Sequence, residues 1–360
     1  MIVYVSPAEM NGGILQFSTT IAKETEGIEN YKLFLPDTVD YKYIQDIKEN
    51  VILYKKVKTL NSRDNGIKEI SNQIMKLNPE VVIFVEDSIL MQQINRILHK
   101  ARIDTAMVIH DIQHHPYRNM DLHRIVVDTL RRKMSRTTIK QCKKIILLSH
   151  NSETAFKNEY NANNTTVFRL SAHVPNVEEK ELPELKEYGK KFHLFFGRID
   201  EYKGIQTLAE AYAALRVSDK ENIELIIAGK GELSDSEKTI IDSEPHIHLI
   251  QRFISDEEMI WLFKRCVSIV LPYTEASQSG VLPIAYKYGK PVIVSNLKGL
   301  TENVVPQKTG LIFKDVNDLS KCLNTITTFM NRDTKEDISN YYEQNYSWKT
   351  NIEKLIHELV

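Results

Sequence analysis

The sequence predicts an α/β protein of two doubly wound, Rossmann-like domains, and three observations carry that prediction. Short apolar runs alternate with helix-like segments through the first half of the chain, and a second such series starts at His193. Between them, the stretch PNVEEKELPELKEYGKK from Pro175 to Lys191 is charged, prolyl and poor in core residues, as interdomain linkers are. The length of 360 residues, 42% of them hydrophobic, suits two cores better than one.

Composition narrows the function classes. The formal net charge is −1, which gives no footprint for nucleic acid. Three cysteines, Cys142, Cys266 and Cys322, lie far apart and form no CxxC pair, so a reducing cytoplasmic compartment is the simpler inference. The opening MIVYVSP reads as a first strand, too short and too uncharged at its start for a signal peptide. No apolar run approaches the ~20 residues of a membrane span.

In chain order, Ile2–Val5 reads as a buried strand and residues 7–13 as a loop, with a helix following from Ile14 to Lys23. Gly12 and Gly13 either let backbone approach a ligand closely or make a simple turn. Further strands are expected at Tyr31–Leu35, Val51–Tyr54, Val81–Val85, Thr105–Ile109, Ile145–Leu148 and Thr166–Leu170. Helices are expected at Gly66–Met75, Ser88–Lys100, His123–Gln141 and Ser152–Asn158. Such alternation implies a parallel sheet covered on both faces.

His110 and Asp111 fall at the carboxyl end of the Thr105–Ile109 strand, the edge where ligand loops gather. His110 suits proton work or a hydrogen bond to a substrate hydroxyl, or is held in a loop. His114 and His115 lack the carboxylate pattern of a metal site, so no metal is expected. From Arg124 to Lys144, eight cations stand against one acid, Asp128, with apolar residues interleaved. That pattern fits peripheral contact with an anionic membrane, and equally a solvated helix with a core stripe.

In the second series, Leu194–Phe196 is a strand and residues 197–204, GRIDEYKG, the loop after it. Ile205–Leu215 follows as a helix with apolar residues at helical spacing. Arg198 and Lys203 thus stand between a strand end and a helix start, where a guanidinium fork and an ammonium suit a diphosphate. Ile223–Ala228 is the next strand, and its Gly229-Lys230-Gly231 is an incomplete dinucleotide fingerprint. Ile247–Ile250 is another strand, followed by Phe253, near which a flat nucleobase would fit. Ser255 to Glu258 is a capping box opening a helix to Arg265.

The organising stretch runs from Ser268 to Val305. Ser268–Leu271 is a strand ended by Pro272, and a polar loop to Gln278 carries Glu275. A helix is expected from Ser279 to about Tyr288, with Ser279 as its cap and Gly289 as its stop, and Pro291–Ser295 is the next strand. The amides of Ser279, Gly280 and Val281 at that helix start offer a phosphate seat. Beyond it, Gly310–Phe313 is expected as a strand, and Asp318–Phe329, Asp337–Gln344 and a last helix after Ser347 as helices.

These residues resemble the GT-B-fold, family-four glycosyltransferases, most of which retain anomeric configuration. The resemblance covers almost the whole chain and is strongest from His193 to Val305. Gly197-Arg198 with Lys203-Gly204 is similar to the family's diphosphate-binding element, and Glu275 to the first of its paired glutamates, which contacts the donor sugar. Gly12-Gly13 resembles the glycine loop of the N-terminal domain, and His110-Asp111 its histidine near the transferred sugar. One departure stands out: the second glutamate, which in the family holds the ribose, is replaced by Ile284.

The resemblance implies two domains facing a central cleft, divided at 1–175, a linker at 176–191, and 192–335, with helices in 336–360 crossing back to the first domain. It implies sugar transfer from a nucleotide diphosphate sugar, a UDP-sugar being favoured, to a glycan or lipid-linked acceptor in surface polysaccharide synthesis at the inner membrane face. Arg198, Lys203 and the amides of Ser279, Gly280 and Val281 would carry the leaving diphosphate. Glu275 and His110 would hold the sugar. No DxD triplet occurs, so no bound metal and no cofactor are expected. A non-catalytic nucleotide-sugar-binding subunit and a nucleotide-sugar epimerase are the alternatives.

Overall fold

The computed structural model describes residues 1–8, 13–57, 65–110, 136–186, 189–216, 220, 223–326, 328 and 332–360. Gly12, Asp111, His114, His115 and the stretch 124–135 lie outside these.

The chain forms two compact units, Met1–Arg169 with Trp348–Val360, and Leu170–Ser347. Each holds one all-parallel sheet. In the first unit the strands are β1 (Ile2–Val5), β2 (Tyr31–Pro36), β3 (Val51–Tyr54), β4 (Val81–Phe84), β5 (Thr105–Ile109), β6 (Lys144–Leu147) and β7 (Thr165–Val167). Their order across the sheet is β3-β2-β1-β4-β5-β6-β7. Such strands are covered on both faces, so they read as continuous apolar runs: β1, β4 and β5 are buried at every residue. Ser88 caps the helix Ile89–Lys100 through Met91 N–H, and Ser149 caps His150–Tyr160 through Ser152 N–H.

The last helix, Trp348–Leu359, belongs to this first unit. Its apolar stripe buries Ile352, Leu355 and Leu359, and Trp348 packs against Phe17 and Phe168 with ring centres 5.7 and 5.8 Å away.

The second sheet holds β8 (Lys191–Phe196), β9 (Ile223–Ala228), β10 (Ile247–Ile250), β11 (Ser268–Leu271), β12 (Val292–Ser295) and β13 (Gly310–Phe313), in the order β10-β9-β8-β11-β12-β13. Helices Ile205–Ala213, Asp235–Ser243, Asp256–Arg265, Val281–Lys287, Val316–Thr325 and Arg332–Asn345 connect and cover it. The capping box expected at Ser255 is present, with Ser255 Oγ accepting from Glu258 N–H and Glu258 accepting from Ser255 N–H.

Several features differ from the sequence reading, among them the following. The helix Asp235–Ser243 and the 3₁₀ turns Tyr41–Tyr43 and Gln45–Asn50 were not expected. The segment read as a linker is built into the second unit. Leu182 and Leu185 are buried in its core, and Glu179 and Glu184 pair with Arg265 at 2.9 Å and Arg252 at 2.7 Å. The helix expected from Ser279 starts at Val281 and runs only to Lys287.

Candidate active site

Strand order reverses between β8 and β11, with β9 and β10 on one side and β12 and β13 on the other. Because these strands are parallel, the loops leaving their carboxyl ends emerge at one edge, where open α/β sheets bind ligands. One loop carries Arg198 and Lys203, the other Glu275 to Gly280.

The two loops touch. Thr274 donates both its N–H (2.9 Å) and its hydroxyl (3.3 Å) to the carbonyl oxygen of Tyr202. Gly204, at φ +67°, lies so close to Pro272 that no side chain fits there. Lys203 Nζ sits 3.7 Å from the centre of the Tyr273 ring and 4.9 Å from that of Tyr202. The Tyr273 hydroxyl lies 3.4 Å from Ser279 Oγ. The cationic turn and the corner near Gly280 are therefore neighbours on one edge of one sheet.

Two cations, Arg198 and Lys203, stand at this edge. Lys203 is half-buried and makes no ion pair among the described residues. Burial, with the neighbouring Arg198 charge, pushes its ammonium down to about 8. Arg198 is exposed, donates to the Tyr202 hydroxyl at 3.4 Å, and has Asp200 as a distant partner at 3.9 Å. An anion arriving here would meet two cations, neither held in an ion pair shorter than 3.9 Å among the described residues.

The amide corner is smaller than expected. Gly280, not Ser279, occupies the N-cap position, and no side chain caps the helix. Ser279 Oγ instead accepts from Val281 N–H at 3.3 Å, so that amide is already engaged. Pro283 has no N–H to offer. Ser279 and Gly280 keep amides with no hydrogen-bond partner among the described residues. Glu275, on the same loop, is exposed. Ile284 is 8% exposed and packed into the core, so its position does not open on this edge.

Phe253, after β10, is 73% exposed. Arg252 fixes its backbone, donating to the Phe253 carbonyl at 3.0 Å while pairing with Glu184 and Glu258. The Gly229-Lys230-Gly231 turn is a packing device. A side chain at Gly229 or Gly231 would strike the backbone of Gly197 or Ile199, so these glycines let the loops after β9 and β8 lie against each other.

In the first unit, the order reverses between β1 and β4. Gly13 opens the helix Gly13–Thr25 and is exposed. His110 closes β5; its Nε2 lies 2.9 Å from the carbonyl oxygen of Val85, and its ring meets Phe17 edge-on at 5.3 Å. A carbonyl only accepts, so Nε2 carries the proton in that contact. Of the basic stretch, Arg136 and Lys140 face solvent, whereas Lys143 pairs with Asp104 at 3.1 Å and Lys144 with Glu358 at 3.5 Å. Among the described residues no helix is long and apolar enough to cross a membrane, and no group of three or more His, Cys, Asp or Glu side chains is arranged to hold a metal ion.

Sequence reasoning missed Tyr202, Tyr273, Ser295 and Gly299. Ser295 donates to the Tyr273 carbonyl at 2.6 Å, and Gly299 lets the Ala276 and Ser277 carbonyls pass close by. Tyr273, Ser295 and Gly299 meet partners remote in sequence, so no local signal marks them.

Residues 177–346 match the family model described as glycosyl transferases group 1. This stretch corresponds to nearly all of the second unit. An uncharacterised glycosyltransferase of Methanocaldococcus jannaschii is 25% identical over 49% of this chain and 46% of its own length. A D-inositol 3-phosphate glycosyltransferase of Arthrobacter is 28% identical over 40% of this chain and 35% of its own. The chain thus spans less than half the length of either relative. Among solved structures, Anabaena HepE in complex with UDP superposes with a TM-score of 0.72, at 14% identity, covering 99% of each chain. The chain has the GT-B fold, with two Rossmann-like domains.

Proposed function

We propose that the chain is a glycosyltransferase that moves a sugar from a nucleoside diphosphate sugar to a glycan or lipid-linked acceptor, with retention. The observation that carries this reading is the meeting, at the switch point of the second sheet, of a cationic turn and a loop with spare amides. Charge builds on the diphosphate as the glycosidic bond breaks. Arg198 and Lys203, with the Ser279 and Gly280 amides, would stabilise that charge. Two fixed cations at the leaving group make a metal-free reaction the natural expectation.

Glu275 and Phe253 are both exposed, and the proposal assigns the first to donor-sugar hydroxyls and the second to a nucleobase. His110 is assigned to the sugar in the same proposal, as are Gly12 and Gly13 to the donor. A UDP-sugar is the favoured donor, supported by the UDP bound in the similar Anabaena structure. An acceptor in surface polysaccharide synthesis, a cytoplasmic setting and a peripheral membrane contact through 124–144 complete the proposal.

The test is product analysis with UDP-, GDP-, ADP- and dTDP-sugars for the wild type, Glu275→Ala and Lys203→Ala. Transfer or donor hydrolysis by the wild type, lost in both variants, supports sugar transfer. Conversion of donor to its epimer without acceptor replaces this reading with an epimerase. Equal traces from all three proteins replace it with a binding subunit.

A further inference from the structure

We infer that Tyr273 is a positioning residue of the diphosphate site, whose ring seats the Lys203 ammonium and whose backbone is anchored by Ser295. The inference rests on the proposed reading of Lys203 as a diphosphate ligand.

Tyr273 is 2% exposed, directly after β11 and Pro272. Lys203 Nζ lies 3.7 Å from its ring centre, well inside the ~6 Å range of cation–π attraction. The Tyr202 ring stands 4.9 Å from the same ammonium, at 70° to the Tyr273 ring. A free lysine samples many rotamers. One walled by two aromatic faces keeps its charge at one place before a ligand arrives, so less ordering remains to be done on binding.

Tyr273 is itself fixed. Its carbonyl accepts a 2.6 Å hydrogen bond from the buried Ser295 at the end of β12. Its hydroxyl reaches 3.4 Å to Ser279 Oγ, a long contact that adds little, while that oxygen accepts the Val281 amide. One residue on, Thr274 is fastened to Tyr202 by two donors. The lysine seat and the two loops therefore share one rigid support, and the ring is the part that touches the cation.

The experiment is calorimetric titration of the full chain with UDP, GDP, ADP and dTDP. The proteins are the wild type, Tyr273→Phe, Tyr273→Leu, Lys203→Met and the double variant Lys203→Met/Tyr273→Leu, with thermal melts to check folding. Tyr273→Phe keeps the ring and is expected to bind within about threefold of wild type, while Tyr273→Leu loses between about 3- and 30-fold. The double variant is expected to bind no more weakly than Lys203→Met alone, because the ring acts through the lysine. A series of ring-fluorinated phenylalanines at 273 keeps the shape and drains the ring face, and affinity should fall stepwise with each fluorine even if the leucine variant fails to fold. Wild-type affinity in Tyr273→Leu or across the fluorinated series, or losses that multiply in the double variant, would overturn the inference. If the wild type binds no nucleoside diphosphate, or if Lys203→Met binds as well as the wild type, the diphosphate site itself falls.

Discussion

A methyl group placed on Gly204 would lie 1.9 Å from the carbonyl oxygen of Pro272. This contact sets the distance between the cationic turn and the loop that carries Glu275. Gly204 also sits in the left-handed region at φ +67°, which costs other residues about 1–2 kcal/mol. Gly204→Ala is therefore expected to lower the melting temperature and, by pushing the two loops apart, to weaken nucleoside diphosphate binding. Thermal melts and calorimetry check this. A variant that melts lower but binds as tightly as wild type would show that the spacing is irrelevant to the ligand.

Lys203 gives the site a pH dependence. Burial holds its ammonium down to about 8, and a diphosphate favours the charged form. Affinity should be level with respect to this group below pH 8. It should fall as pH rises above 8, because a proton must then be taken up on binding. Lys203→Ala should bind weakly with no such alkaline limb. Titrations between pH 7 and 9.5 read this directly; a wild-type limb that survives in Lys203→Ala assigns it elsewhere.

His193 predicts an acid limb in stability. It is buried on β8, within 2.8 Å of Ser268 Oγ on β11, and burial pushes its imidazole down to about 3. Below pH 6.5 the unfolded chain binds a proton at this residue that the native state refuses. Stability should therefore fall as pH drops from 6.5 toward 3, by up to about 4 kcal/mol, with no contribution above 6.5. Denaturant melts at pH 7.5 and 4.5 should show a smaller loss in His193→Asn than in wild type. Equal losses would contradict it.

Ile284 stands where a ribose-holding glutamate is expected, yet it is a core residue. Restoring the acid by Ile284→Glu should destabilise the protein by about 2–4 kcal/mol, through lost packing and a buried carboxyl, without tightening donor binding. Urea melts and donor titration test both halves. A stable variant with higher donor affinity would show that this position faces the ligand.

Most of the architecture is legible in the sequence because parallel strands buried on both faces are continuous apolar runs. IVYV in β1 and SIVL in β11 mark themselves that way. The cations of the site are legible too, since Arg198 and Lys203 fall between a strand and a helix. The helix Asp235–Ser243 was readable from its capping box, Ser234 with Glu237, but its face buries only Ile241 and so shows little apolar period. The segment 176–191 misleads because its two core residues, Leu182 and Leu185, are diluted among charges whose partners lie on a distant helix. Tyr273 is invisible for the same reason: what makes it matter is a lysine 70 positions earlier and a serine on the next strand.

The central claim is that the turn near Arg198 and the corner near Gly280 grip one pyrophosphate. Its most direct test is the ratio of UDP to UMP affinity, measured calorimetrically in wild type, Arg198→Ala and Lys203→Ala, with GDP/GMP, ADP/AMP and dTDP/dTMP as parallel pairs. The account predicts a wild-type preference for the diphosphate of about tenfold or more, collapsing toward equality in both variants. A preference that persists unchanged in either variant, or a wild type that binds both nucleotides alike, would contradict it.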